Sequence, residues 1–372
     1  MRSIASQVGL TKKHKTPCLI MDIGEVRRRF ESITGLLGRP VEVFYSAKAN
    51  PHRKILKTVA DLDGGFDVAS WGEIKAVLSL GIPASRIVFS NPIKAPSDIA
   101  AATAAGVRLF AFDSEPEIEK LSRFAPGSDV YVRLAVSNAG SLWPLTRKFG
   151  VGVEEAIRLV FLARHARLNP IGATFHVGSQ CLNPRNWYDA IENVSLLFDA
   201  CAMNGLQLTL VNLGGGVPAL NNAHGVPSLL NIRSAINKGL DRLFAGQPRL
   251  IIEPGRYIVA TAGTLCVTVI GIAQRRDETW LYIDAGTYGG LMEPHEGFPY
   301  EVVTDHPDRQ TQRYVIAGPS CDSVDTVFSD IELPEVEIGD RLYFLNAGAY
   351  TTSYERYNGF PFPNVYFHFH SK

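Results

Sequence analysis

A single lysine, Lys48, stands where a β-rich run of residues ends. The run, residues 43–47, predicts a buried strand, and Asn50 and Pro51 break it directly after the lysine. Burial lowers the pKa of a lysine amine, because desolvation disfavours the charged form, and a neutral amine can attack an aldehyde. The position therefore predicts a Schiff-base lysine, with a solvated surface lysine as the alternative.

Polar groups also follow two later apolar runs. Gly214-Gly-Gly216 comes directly after residues 208–213, and consecutive glycines let backbone N–H groups approach a phosphate closely; a flexible turn is the alternative. Glu253 ends the run 250–253, and Arg256 follows shortly after it. The carboxylate could pair with a protonated ring nitrogen and the guanidinium could help to hold a phosphate. An ion pair between the two side chains is the alternative.

An imidazole and a thiol complete the candidate groups. His176 lies in the run 172–177 with Ser179 close by, so the ring could stack on a flat cofactor and the hydroxyl could bind a phosphate. A structural histidine is the alternative. Cys321 and Asp322 follow Gly318-Pro-Ser, where an inert buried thiol and a turn carboxylate are the alternatives to functional groups.

Between Val43 and Glu253, short apolar runs alternate with helical patterns. The runs that predict strands are residues 43–47, 66–68, 86–90, 108–112, 130–134, 172–177, 208–213 and 250–253. Strands separated by helices predict a parallel sheet, and this number of strands closes into a TIM barrel; an open doubly wound sheet is the alternative. In a barrel the functional groups stand at the carboxyl ends of the strands, where Lys48, His176 and Glu253 lie.

After Arg256 the helical periodicity nearly disappears. The β-rich runs that follow are residues 265–272, 280–283, 314–316, 341–345 and 365–369. Their spacing by Pro and Gly predicts a second, all-β domain of sandwich or barrel type. We expect the barrel to span residues 23–255, and residues 1–22 and 256–372 to form the β domain.

Composition narrows the class of protein further. The chain has 372 residues, of which 46% are hydrophobic and 20% charged, and a formal net charge of zero. Zero net charge provides no electrostatic footprint for nucleic acid or an anionic membrane, and no apolar run is long enough to span a bilayer. The five cysteines are scattered without zinc-site spacing, so we expect no metal and a reducing, cytoplasmic environment.

The motifs, taken in order, resemble the fold-type III, pyridoxal-phosphate-dependent decarboxylases that act on ornithine, lysine, arginine or diaminopimelate. Within the family the sequence most resembles the bacterial ornithine and lysine/ornithine decarboxylases. The motifs are Tyr45-Ser-Ala-Lys48-Ala-Asn-Pro51, Phe66-Asp67-Val-Ala-Ser70, Arg147-Lys-Phe-Gly150, Phe175-His176-Val-Gly-Ser179, Gly214-Gly-Gly216, Glu253-Pro-Gly-Arg256, Gly318-Pro-Ser-Cys321-Asp322, Gly348-Ala-Tyr350-Thr and Tyr357-Asn-Gly-Phe360. The resemblance implies an α/β fold, a (β/α)8 TIM barrel of alanine-racemase type with a C-terminal all-β domain.

The resemblance also implies a cofactor, pyridoxal 5'-phosphate, and residues that hold it. Lys48 would carry the cofactor covalently, Glu253 would pair with the ring nitrogen and His176 would stack on the ring. The further cofactor-binding residues would be Asp67, Ser179, Gly214, Gly215, Gly216, Gly255, Arg256 and Tyr350. An arginine near the ring is expected as well, and either Arg133 or Arg147 could supply it.

Substrate handling is implied by the same resemblance. Cys321 would be the second catalytic residue, returning a proton to Cα, and Asp322 would receive the substrate's distal ammonium. Tyr288, Glu293 and Tyr357 are the other expected substrate contacts. The family implies a homodimer with shared active sites, in which Cys321 and Asp322 reach the cofactor of the partner subunit.

The implied reaction is decarboxylation of a basic L-amino acid, foremost L-ornithine to putrescine and carbon dioxide. Lysine or another diamino acid is an alternative, because one methylene supports discrimination of only about 10- to 200-fold. Diaminopimelate fits less well, because its distal carboxylate would pair with an arginine, whereas Asp322 at that place is negatively charged. An amino-acid racemase and a cofactor-free, partner-binding regulator are the remaining alternatives; Cys321 disfavours the first, and the full set of site residues disfavours the second.

Overall fold

The structure is a computed structural model that describes residues 4–145, 147–219, 225–353 and 363–369. The chain divides into two compact units, one made of Arg29–Tyr257 and the other of the residues up to Arg28 and from Ile258 onward. The expected limits of 23 and 255 for the barrel domain stay a prediction. Each unit is described by itself.

Both units contain strands. In order they are β1 Cys18–Asp22, β2 Glu42–Ser46, β3 Gly65–Val68, β4 Ile87–Phe89, β5 Leu109–Phe112, β6 Asp129–Arg133, β7 Ser141–Trp143, β8 Asn169–Thr174, β9 Ser179–Cys181, β10 Leu210–Asn212, β11 Arg249–Ile252, β12 Gly263–Arg275, β13 Glu278–Ile283, β14 Val302–Thr304, β15 Thr311–Ala317, β16 Thr326–Pro334, β17 Arg341–Leu345 and β18 Asn364–His368. The strands β1 and β12–β18 belong to the sheet unit, and the strands β2–β11 between them belong to the barrel unit.

Eight of these strands close into a barrel in the order β10-β11-β2-β3-β4-β5-β6-β8. All neighbouring pairs are parallel. The predicted TIM barrel is therefore confirmed, and the open doubly wound sheet is excluded. A packed interior fills the barrel, as its side chains form one buried cluster. The cluster contains Phe44, Val88, Leu109, Ala111, Tyr131, Leu210 and Ile251.

Helices connect the barrel strands, as parallel neighbours require. The helices of the described residues are α1 Ile4–Thr11, α2 Ile23–Thr34, α3 Arg53–Asp61, α4 Trp71–Leu78, α5 Pro96–Ala104, α6 Glu115–Phe124, α7 Val153–His165, α8 Arg185–Met203, α9 Leu229–Leu243 and α10 Arg256–Val259. Local sequence explains where several of them begin. Ser70 caps α4 by accepting from the Glu73 amide, and Ser228 forms a capping box with Asn231 at α9.

The second unit is mostly sheet, as expected of an all-β domain. Its main path runs β14-β17-β12-β13-β15-β16, and β1 pairs with β12 and with β18. Strand β1 thus belongs to this sheet although the barrel follows it in the chain. Among the described helices, none combines the length and the apolar character needed to cross a bilayer.

A small antiparallel ribbon accompanies the barrel. Strand β7 follows β6, strand β9 follows β8, and the two pair with each other. Strand β8 ends at Thr174, earlier than predicted, and the chain then turns through Gly178 at a φ of +91° before it enters β9. No periodic pattern in the sequence indicates this ribbon, which brings two loops of the barrel together.

Candidate active site

Lys48 lies beside a buried carboxylate. It sits in a short 3-10 turn, Ala47–Ala49, directly after β2. Its Nζ donates to Asp67 Oδ2 at 3.0 Å, and Ser46 Oγ donates to the same oxygen at 2.6 Å. The lysine side chain is 47% exposed, so the burial that the sequence argument assumed is not found, because the turn carries the side chain beyond the strand end. The Asp67 carboxylate is therefore the hydrogen-bond partner of this amine.

Glu253 is a buried carboxylate with two donors on one oxygen. Asn212 Nδ2 donates to Oε1 at 2.6 Å, and Ser90 Oγ donates to the same atom while also bonding the Tyr131 hydroxyl. Burial raises the pKa of Glu253 to about 7, with the nearby Asp67 charge adding to the rise. Since neither donor uses Oε2, a protonated ring nitrogen fits the second oxygen and would favour the charged form.

His176 presents a neutral imidazole. Its Nδ1 accepts from the Gly178 amide at 3.1 Å, which assigns the ring proton to Nε2. Burial lowers the pKa of His176 to about 3, and the positive charges of Arg133 and Lys48 act in the same direction. A flat, uncharged ring of this kind can stack on a cofactor ring without titrating near neutral pH.

The glycine loop approaches both groups so closely that side chains would collide. Gly214 has a φ of +62°, and a Cβ there would lie 1.9 Å from the Phe175 carbonyl oxygen. A Cβ on Gly215 would lie 2.8 Å from the Glu253 carbonyl oxygen and 3.0 Å from His176 Nε2. The Gly214 amide also donates to Asn212 Oδ1 at 2.9 Å, so Asn212 joins the loop to the Glu253 carboxylate.

Three further cofactor candidates are Gly255, Arg256 and Ser179. Gly255 packs under the lysine turn, where an added Cβ would lie 3.0 Å from the Ala49 Cβ. The Arg256 guanidinium is nearly buried, at 7% exposure, and stands over the Trp143 ring at 5.2 Å from its centroid. Ser179 is the ladder partner of Trp143 in the ribbon.

The choice between the two candidate arginines follows from their surroundings. Arg133 ends β6, and its guanidinium lies 5.3 Å from the Phe149 ring centroid. Burial lowers the pKa of Arg133, while the charges of Glu253 and Asp67 oppose that fall. Arg147 is exposed and has a φ of +88°. Arg133 is therefore the arginine whose positive charge acts on the other residues of the site.

The substrate candidates lie in the sheet unit. Tyr288 donates its hydroxyl proton to Asp322 Oδ2 at 2.6 Å, and the Val324 amide donates to Oδ1 at 3.0 Å. These bonds lower the pKa of Asp322 below its ordinary value, so it is an anion at neutral pH. Cys321 beside it is exposed, which excludes the buried, inert thiol. Glu293 lies in the interior of the unit and accepts from the Tyr300 hydroxyl at 3.1 Å.

Two of the predicted site residues remain, Tyr350 and Tyr357. Tyr350 takes a left-handed backbone conformation, with a φ of +62°. Tyr357 lies outside the described residues.

Sequence reasoning missed four contributors to the site, namely Ser90, Tyr131, Asn212 and Trp143. Ser90 directly follows β4 and Asn212 ends β10, so the rule that drew attention to Lys48 and Glu253 applies to both. Tyr131 resembles any other apolar strand residue. Trp143 ends the three-residue strand β7, which is too short for a periodic pattern to single it out.

The donor set fits pyridoxal phosphate. An amine stands ready for an aldehyde, a buried carboxylate oxygen suits a ring N–H, and a neutral imidazole suits a flat ring. The glycine backbone and an arginine provide phosphate donors. In the part of the chain that the structure describes, no group of three or more His, Cys, Asp or Glu could hold a metal ion.

Comparison with known families agrees with this chemistry. The family model for the pyridoxal-binding domain of the pyridoxal-dependent decarboxylases matches residues 23–260. The chain belongs to this family, the fold-type III pyridoxal-phosphate-dependent decarboxylases, and its cofactor is pyridoxal 5'-phosphate.

Individual relatives place the chain among decarboxylases of basic amino acids. It is 38% identical over 356 residues to a lysine/ornithine decarboxylase of Selenomonas ruminantium, covering 94% of this chain and 89% of the relative. It is 32% identical to the ornithine decarboxylase of Mus musculus, covering 94% and 79%. The structure of the Paramecium bursaria Chlorella virus arginine decarboxylase bound to agmatine matches with a TM-score of 0.90 and 29% identity, covering 99% and 100% of the two chains.

Proposed function

We propose that the protein decarboxylates L-ornithine to putrescine and carbon dioxide. The observation that carries the proposal is the Asp322 carboxylate, an anion that accepts hydrogen bonds from the Tyr288 hydroxyl and the Val324 amide. An anion held in this way suits the distal ammonium group of a basic amino acid. Family membership supports the reaction, and the named relatives support a basic amino acid as its substrate.

The barrel residues hold the cofactor in this proposal. Lys48 provides the amine that reacts with the cofactor aldehyde, and Asp67 keeps that amine in place. Glu253 Oε2 would accept the ring N–H, and His176 would stack on the ring. When bound, pyridoxal phosphate accepts the electron pair that the loss of carbon dioxide leaves on Cα. The negative charge of Glu253 favours the protonated ring nitrogen on which that capacity depends.

The remaining groups are proposed to bind the phosphate and to return a proton to Cα. Ser179, the amides of Gly215 and Gly216, Gly255 and Arg256 would bind the phosphate, and Tyr350 would complete its donors. Gly214, whose amide donates to Asn212 Oδ1, would shape the loop that carries them. Cys321 is exposed and its S–H is proposed to return a proton to Cα. We further propose a cytoplasmic homodimer in which Cys321 and Asp322 of each subunit serve the cofactor of the other.

Lysine is the second candidate substrate, and one relative bears both amino acids in its name. The two substrates differ by one methylene, which is worth about 10- to 200-fold in selectivity. Tyr288, Glu293 and Tyr357 are proposed to set the length of the pocket around Asp322. A substrate with a distal carboxylate would meet the Asp322 anion and is disfavoured.

The test measures carbon dioxide and amine release from the cofactor-loaded protein with ornithine, lysine, arginine and diaminopimelate in parallel. We expect putrescine as the dominant product and no activity in Lys48→Ala. If cadaverine forms from lysine with a higher kcat/KM than putrescine forms from ornithine, lysine is the preferred substrate. D-amino acid without carbon dioxide would overturn decarboxylation altogether.

Subunit sharing needs its own test. Lys48→Ala and Cys321→Ala are each expected to lose most activity alone. Mixed together, they should recover up to about a quarter of the parent activity, because a mixed dimer has one intact site. Pairing Lys48→Ala with itself after the same dissociation step is the control. No recovery in the mixture, with subunit exchange demonstrated, would contradict shared sites.

A further inference from the structure

The ribbon β7–β9 connects the elements that are proposed to hold the phosphate. Its register pairs Ser141 with Cys181 and Trp143 with Ser179. The Cys181 amide donates to the Gly216 carbonyl at 2.9 Å, so the ribbon is bonded to the glycine loop. The ribbon therefore ties Ser179 to the loop that supplies the backbone donors.

Trp143 connects the Arg256 guanidinium to the ribbon. Its ring lies under the nearly buried Arg256 guanidinium at 5.2 Å from the centroid. Directly opposite residues of an antiparallel pair project to the same face, so the side chains of Trp143 and Ser179 share a face of the ribbon. A tryptophan face attracts a cation most strongly among the aromatic side chains, and the attraction grows when water is excluded.

Close contacts along the ribbon fix the backbone that carries this ring. Ser141 Oγ lies 2.6 Å from the Asn138 carbonyl oxygen and 2.8 Å from the Val177 carbonyl oxygen, and its one proton donates to either of them. A Cβ added to Gly178 would lie 2.2 Å from Ser141 Oγ and 3.1 Å from the Trp143 carbonyl oxygen. The backbone that carries Trp143 is thus fixed on both sides.

We propose that Trp143 is a positioning residue for the phosphate of the cofactor. It holds the Arg256 guanidinium over its ring, so that the N–H groups of the arginine are oriented before a phosphate monoester binds. The inference rests on the proposed role of Arg256. A guanidinium fixed in advance loses less side-chain freedom on binding, which raises the affinity for the phosphate and leaves the affinity for the ring of the cofactor unchanged.

Binding of two ligands to the cofactor-free, full-length protein tests this proposal. The ligands are pyridoxal 5'-phosphate and pyridoxal, which differ only in the phosphate, and inorganic phosphate serves as a competitor. For Trp143→Leu we expect an increase of about 5- to 30-fold in the Kd of pyridoxal phosphate, an unchanged Kd of pyridoxal and weaker competition by phosphate. Trp143→Phe keeps an aromatic face and should fall between the parent and Trp143→Leu.

Two variants separate the possible outcomes. Leu142→Ala changes the neighbouring ribbon residue, whose side chain projects to the other face, and should leave all three affinities unchanged. Arg256→Met should also weaken pyridoxal phosphate selectively. If Arg256→Met does so and Trp143→Leu does not, or if Trp143→Leu weakens both ligands equally, the role of Trp143 is overturned. If the ratio of the Kd of pyridoxal phosphate to that of pyridoxal is unchanged in Arg256→Met, the role of Arg256 itself is overturned.

Discussion

The charge of Glu253 can be tested without any cofactor. In the cofactor-free protein this carboxyl is buried near Asp67, and its pKa is about 7 rather than 4.5. Replacement by glutamine keeps the shape and an oxygen that accepts from Ser90 and Asn212, but the side chain can no longer ionise. We expect Glu253→Gln to stabilise the cofactor-free protein at alkaline pH and to weaken cofactor binding.

The magnitude follows from the pKa. A tenfold change in proton affinity is worth about 1.4 kcal/mol, so a rise from 4.5 to about 7 corresponds to about 3 kcal/mol. The folded state binds this proton more strongly than the unfolded state does. The contribution is therefore present in full below pH 4.5, declines as pH rises through the window to about 7 and is lost above it. Glutamine is neutral throughout, so the advantage of the variant grows over the same window.

Urea unfolding of both cofactor-free proteins at several pH values measures this difference. The variant and the parent should have similar free energies of unfolding near pH 4, and the variant should be more stable by about 3 kcal/mol near pH 8. The infrared carbonyl band of the protonated carboxyl should titrate near neutral pH in the parent only. A difference that does not change with pH would refute a perturbed Glu253.

A surface carboxylate provides a control of opposite sign. Hydrogen bonds from the Arg158 guanidinium lower the pKa of Glu155, which is fully exposed. A lowered pKa contributes stability above the ordinary pKa of the carboxyl that is lost on acidification. Glu155→Gln should therefore show no gain in stability as pH rises.

Three shorter predictions address other parts of the site. Because the pKa of His176 is about 3, His176→Phe should retain the cofactor and leave the pH–rate profile above about pH 5 unaltered, whereas His176→Ala should lose cofactor affinity; a profile that changes in His176→Phe would contradict a neutral imidazole. Tyr288→Phe removes a donor from Asp322 and should raise KM for the basic amino acid by about tenfold with kcat nearly unchanged, as steady-state kinetics would show; a fall confined to kcat would argue against this contact. Gly215→Ala places a Cβ against the Glu253 carbonyl and the His176 ring and should lower both the melting temperature and cofactor content, while Gly246→Ala, where nothing lies within 4 Å, should change neither.

The barrel could be predicted because its signals are local. Each strand is a short apolar run bounded by turn residues or helical patterns, and the polar residue at each carboxyl end is visible in the sequence. The observed β2, Glu42–Ser46, lies within one residue of the predicted run 43–47. Strand ends meet at one rim of a barrel, so Asp67 and Lys48 could be expected near each other.

The rest of the site depends on contacts that a linear pattern does not contain. The ribbon forms from Ser-Leu-Trp and Ser-Gln-Cys, each of which is too short to show the alternating pattern of a strand. Its pairing depends on hydrogen bonds to loops distant in sequence. The exposure of Lys48 likewise follows from the turn after β2, whereas the burial of the preceding strand suggested the opposite.

The pairing of β1 has a consequence for the order in which the protein is made. Strand β1 lies between β12, its antiparallel neighbour, and β18, its parallel neighbour, and β18 comes latest in the chain among the described strands. During synthesis, all eight barrel strands emerge from the ribosome before either neighbour of β1 emerges. The barrel can therefore close co-translationally while the first strand waits with both edges unpaired. A stop codon before Asn364 would leave one edge of β1 open for good, a site for pairing with other chains.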